Sequence, residues 1–139
     1  MQAIGSPLIC YPIRLRPKQD IQQAMVDFVK MNGLKAAFVV TCCGSVTKAK
    51  LRMADSTTIK ELTGHFEIVS LVGTLSGGEN GHLHISLSDP EGHVIGGHVV
   101  GDLIVYTTAE VVIGECTGAK FKREDDLETG YDELAIYRK

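Results

Sequence analysis

The sequence predicts an α+β fold: one main helix near the N-terminus and a mostly antiparallel central β-sheet from the remainder. Three observations predict it. A single apolar stripe at helical spacing runs through Ile21, Met25, Phe28 and Val29; downstream, apolar residues alternate with polar ones or form short β-branched blocks; and Gly, Pro, Asn and Asp clusters cut those blocks to strand length. The chain of 139 residues, 44% hydrophobic and 22% charged, has material for one core and reads as one domain over residues 1–139.

Leu8 to Leu15 alternates loosely and is rich in Ile, Leu and Tyr, which predicts a first strand. Pro17 is expected to set the helix start, with Asp20 in the first turn facing the helix dipole, and Asn32-Gly33 supplies the stop. Ala36 to Cys43 is an apolar run ending at Gly44-Ser45. Val46 to Met53 follows as a separate strand, its Lys48, Lys50 and Arg52 marking a solvated face. Thr57 to Leu62 reads as a short strand and Phe66 to Leu75 as a longer one, closed by the turn Ser76 to Gly81. His82 to Leu87 alternates well, and Asp89-Pro90-Glu91-Gly92 makes a tight turn into a return strand, His93 to Val99. Gly96-Gly97 within it suggests a bulge or a close backbone approach. Glu110 to Cys116 is another strand, Glu124-Asp125-Asp126 an acidic loop, and Glu133 to Arg138 a last strand.

Charge and composition exclude several classes. The net charge is −3, from 14 basic and 17 acidic residues, where direct nucleic-acid binding calls for a basic excess. Pro7, Pro12 and Pro17, with Arg14 and Arg16 between them, break any signal-like apolar core, and the longest apolar run, Ala36 to Val40, falls far short of the ~20 residues of a membrane span. Cys10, Cys42, Cys43 and Cys116 contain no C-x-x-C pair, and Cys42 and Cys43 fall on opposite strand faces. They are read as reduced thiols filling core positions, and a cytoplasmic location is expected, with the nucleus left open.

The chemistry lies in the histidines. His82 and His84 are two apart on one strand, so both imidazoles share a face while Leu83 and Ile85 take the other. An H-x-H pair alone is common on solvated strands. Here the Asp89–Gly92 turn folds the chain back and brings His98, directly after Gly96-Gly97, as a third ligand. Three neutral imidazoles with an open position are the ligand set of a catalytic-type zinc site, and nickel, copper and iron accept imidazole as well. His93, at an odd offset from His98, is read as a surface residue, and His65 as a strand-end residue. Glu67, among Phe66, Ile68 and Val69, is either paired at the sheet end or placed in the site, to orient a ligand histidine or act as general base on metal-bound water. Arg52 or Arg14 is a candidate for holding an anionic substrate group, although a solvated face explains Arg52 as well.

The segments Gly64-His65-Phe66-Glu67-Ile68-Val69-Ser70-Leu71-x-Gly73-Thr74, His82-x-His84-Ile85-Ser86-Leu87-Ser88-Asp89 and Val94-x-Gly96-Gly97-His98-Val99, in that order, resemble the PPC family (plants and prokaryotes conserved). The resemblance extends over nearly the whole chain, which reads as a single PPC-like domain. It implies a central antiparallel sheet, assembly as a homotrimer, and zinc or another divalent transition metal on His82, His84 and His98. No Arg-Gly-Arg-Pro hook is present, so the chain resembles the family's stand-alone, hook-less branch rather than its plant DNA-binding one. Two functions follow as expectations: a metal-dependent hydrolase or lyase acting on a small polar metabolite, or a non-catalytic homotrimeric interaction module whose metal is structural or incidental. Direct DNA binding ranks below both.

Overall fold

The structure is a computed structural model that describes residues 1–139. It contains β1 (Leu8–Leu15), α1 (Ile21–Met31), β2 (Ala37–Arg52), β3 (Ile59–Thr74), β4 (His82–Ser88), β5 (Val94–Cys116), β6 (Ala119–Asp125) and β7 (Asp132–Arg138). The expected class holds: one helix, and strands that all pair antiparallel. β1 to β5 form one sheet in the order β1-β5-β2-β3-β4, and β4 pairs back onto β5. That last pairing closes β2, β3, β4 and β5 into a ring. β6 and β7 form a separate hairpin. No helix is long and apolar enough to cross a membrane.

The helix starts later than Pro17 implies. Lys18 donates its amide to Val105 O and Val105 donates back to Gln19 O, at 3.0 and 2.9 Å, so residues 18 and 19 are tied to β5 and unavailable to a helix. Asp20 is therefore the N-cap, not a first-turn residue; its Oδ1 accepts from Gln23 N at 3.1 Å. At the other end Gly33 (φ +63°) donates to Lys30 O and Leu34 to Val29 O, a Schellman closure in which buried Val29 and Leu34 supply the apolar contact.

Three expected strand breaks are bends instead. β2 runs through Gly44-Ser45, with register shifts around Val46 that turn it from one side of the ring to the other. A Cβ on Gly44 would stand 2.1 Å from Thr108 O, so this glycine marks a close strand crossing and not a strand end. The two predicted strands at 57–62 and 66–75 are one strand, β3, with an extra residue at Gly64-His65 relative to β2. β5 fills the unassigned stretch between Val99 and Glu110. Two register shifts against β2, near Val100 and Asp102 (φ +51°), erase its alternation while the strand continues. The acidic loop at 124–126 is also corrected: Glu124 and Asp125 end β6, paired with Glu133 and Asp132.

One cluster of 23 buried residues fills the space between the ring and the helix, from Ile21 and Met25 through Leu51 and Leu83 to Val99 and Ile113. Cys42 belongs to it, and burial first, then Cys43 and Glu110, pushes its thiol up to about 11. The other cysteines depart from the expected core placement: Cys10 and Cys43 are exposed and Cys116 is half-buried, because each falls on the outer face of its strand.

At Gly96 and Gly97 no bulge forms. β4 and β5 keep an unbroken register from His84↔His98 to Ser88↔Val94, and the glycines serve close approach. An added Cβ would lie 2.4 Å from Ile85 O at Gly96 and 2.8 Å from Arg52 O at Gly97, whereas one at Gly101 meets nothing within 4 Å. Gly96→Val is expected to cost about 1–3 kcal/mol and about 3–10 °C in Tm, and Gly101→Ala to shift Tm by no more than about 2 °C. Thermal melts of the two variants check this contrast.

Candidate metal centre

Leu83, Ile85 and Val99 are buried, so strand alternation turns their neighbours His82, His84 and His98 to the outside of the ring. The closing pair then sets the third histidine opposite the first two. His84 and His98 are direct register partners across β4 and β5, with His82 two residues along β4. The ring centroids lie 5.1 Å (His82–His84), 5.3 Å (His82–His98) and 5.5 Å (His84–His98) apart. One nitrogen from each ring can be chosen so that all three lie within 4.8 Å of one another. His98 Nδ1 is buried with no hydrogen-bond partner, a state that a buried polar atom rarely keeps. An imidazole nitrogen without a donor or acceptor beside two further imidazoles fits a metal ion: the donor set is three neutral nitrogens, and the rings already converge.

The electrostatics favour the neutral, ligating form. His98 is pushed down from 6.5 to about 4, first by burial and then by the guanidinium of Arg52 and by His82 and His84. His82 is lowered as well, by desolvation first, then by Arg123 and His84, with Glu133 opposing. Arg52 is the register partner of His98 on β2. Arg123 reaches in from β6, its Nη2 donating to Thr74 Oγ1 at 2.6 Å, and Thr74 is itself the partner of His82. A cleft of about 390 Å³ beside the trio is lined by Arg52, His82, His98, Arg123, Tyr131 and Glu133, among others.

The remaining candidates lie elsewhere. Glu67 faces Ser88 across β3 and β4, four residues from His84, or about 13 Å at ~3.3 Å per residue. Within the chain it does not join the trio. It lines a separate depression with His65 and Tyr106. His65 is not at a strand end: it sits in the β3 bulge, stacked on Tyr106 at 4.1 Å with 7° between the rings. His93 is a surface residue as expected, exposed beside Asp89 and Glu91 in the turn that precedes β5. Arg14 is held by Thr107 O and Thr108 Oγ1 near the middle of β5, nine or more residues along that strand from His98. Local spacing does not place Arg123 or Glu133 in the site, because nothing in it ties a C-terminal hairpin to residue 82.

A ring-closed antiparallel sheet with one helix and an outward three-imidazole cluster defines a small β-rich protein with a preformed nitrogen site on its surface. Residues 2–117 match the Plants and Prokaryotes Conserved (PCC) domain, and the chain belongs to that family. It is similar to the bifunctional protein GlmU of Synechococcus, 40% identical over 91% of this chain, but spans only 20% of that relative's length. Among solved structures, it is similar to a hypothetical protein of Salmonella enterica (41% identity, TM-score 0.93, 97% of each chain). It is also similar to a metal-containing protein of Archaeoglobus fulgidus (25% identity, TM-score 0.83, 97% of this chain and 99% of that one).

The shift at His98 has a consequence for stability. The unfolded chain binds this proton near pH 6.5 and the folded chain only near pH 4, so its stability contribution is complete above 6.5 and declines as pH falls through that window. In chelator-treated protein, NMR titration of His98 is expected to show a neutral ring at about pH 5.5. A midpoint near 6.5 would contradict the burial of Nδ1.

Proposed function

We propose that this chain is a metal-binding protein in which His82, His84 and His98 hold one divalent transition ion, zinc in the first instance, and leave a coordination position to a small polar molecule. The observation that carries this reading is the buried, unpartnered Nδ1 of His98 within a convergent set of three imidazoles. The metal-containing Archaeoglobus relative supports it. When bound, such an ion polarises a carbonyl or lowers the pKa of water toward ~7, the chemistry of a hydrolase or lyase. The chain's own residues then orient and deprotonate. Glu133, whose charge acts on His82 and which lines a hollow with His82 and His84, takes the proton-accepting role that Glu67 lies too far away to fill. Four free cysteines suit a reducing, cytoplasmic setting.

A second reading is favoured by the outer face of the ring. Val69, Val72, Val94 and Val100 are exposed there, which suits a homotrimeric interaction module with a structural metal. Direct DNA binding gains nothing from a net charge of −3.

Metal analysis of the purified protein is expected to find about one ion per chain, lost in His84→Ala, in line with the three-imidazole ligand set. Screening ester, lactone and 2-oxo acid turnover is expected to reveal activity that chelator and His84→Ala both abolish. Metal-free protein, or equal rates for wild type and His84→Ala, would refute the catalytic reading. A trimer that loosens on chelation, with no turnover in either form, would favour the module.

A further inference from the structure

We propose that Arg52 and Arg123 form a clamp for an anionic group beside the imidazole trio, so that the molecule taken up there carries a carboxylate or a phosphate. The proposal deepens the metal-centre reading by naming the substrate class, and its test separates the two.

The two guanidiniums come from different parts of the fold and flank the same rings. Arg52, the last residue of β2, is paired with His98. Arg123 comes from β6 and is anchored through Thr74, the partner of His82. Both arginines line the same cleft, one from the strand that pairs with His98 and one from the hairpin. The ion pairs of the chain are Lys48–Asp102 and Lys50–Glu61, with His93 set beside Asp89 and Glu91, and neither arginine takes part in any of these contacts. Both side chains are half-buried. A guanidinium withdrawn from water without an anion is costly, and its planar fork matches the paired oxygens of carboxylate or phosphate.

No carboxylate in the cleft forms an ion pair with either arginine, although the charge of Arg123 acts on Asp132. Asp132 is hydrogen-bonded to Asp125 across the hairpin, which holds its carboxyl above the usual range. Glu79 and Glu133 lie more than 4 Å from any cationic nitrogen of either arginine, since no ion pair is made. The space, about 390 Å³, suits a small metabolite. Lysines would give a diffuse field; two arginines fix a direction, and that direction sets the anionic head against the open side of the trio.

The test is calorimetric titration of the full chain with malonate and with inorganic phosphate, run on chelator-stripped and on cobalt(II)-loaded protein. Wild type is expected to bind at least one probe. Arg52→Gln and Arg123→Gln are each expected to weaken binding about tenfold or more while the cobalt absorption bands stay unchanged. Arg123→Gln also removes the bond to Thr74, so Arg52→Gln, at a side chain that takes part in no ion pair, decides if the other variant melts early. Equal affinity in wild type and Arg52→Gln, or no anion binding in either form, overturns the clamp. Arginine-dependent binding without any cobalt–imidazole spectrum upholds the clamp and refutes the metal centre.

Discussion

Everything distinctive in this protein depends on the antiparallel pairing of β4 with the first part of β5. Without it the sheet would be an open strip, with β4 and the N-terminal half of β5 as free edges. With it the ring closes, Leu83, Leu87 and Val99 enter the core, and their neighbours are forced outward as His82, His84 and His98. The pairing is possible because positions 96 and 97 lack side chains. A methyl at either would collide with a carbonyl of the strand beside it, β4 on one side and β2 on the other. The glycines before His98 thus act through closure rather than flexibility, and core and site share one cause.

How much of this the sequence shows depends on the range over which each signal acts. The helix, the hairpin at Asp89–Gly92 and the common face of His82 and His84 are set by neighbours within a few residues, and all were legible. So was His98, because the turn fixes the distance back along the chain. Long bent strands were not. β2, β3 and β5 each carry bulges at Gly44, Gly64 or Gly101-Asp102, and a bulge resembles a strand end when only alternation is read. β6 was missed for a different reason: Lys120, Lys122, Arg123, Glu124 and Asp125 put charge on both faces of a hairpin outside the main core. That hairpin carries Arg123 and Glu133 to the site. Apolar neighbours alone leave Glu67 either at the sheet end or in the site, while its register partner, Ser88, fixes it four residues away from His84.

The site's surroundings combine three kinds of group. Neutral imidazoles converge with one nitrogen buried and unpaired. Burial first, and the guanidiniums of Arg52 and Arg123 second, hold His98 and His82 in the unprotonated form that can ligate. A carboxylate, Glu133, faces the same hollow from the hairpin. The arginines would repel a bare cation, so the site as proposed gains from three donors in place and from an anion that completes the charge balance.

X-ray absorption spectroscopy of the zinc-loaded protein tests the central claim most directly. The account predicts a first shell with three imidazole nitrogens at about 2.0–2.1 Å and an oxygen from water or a small anion. A shell containing sulfur at about 2.3 Å, or only one imidazole, would contradict it, because the closed β4–β5 pair would then not be what builds the site.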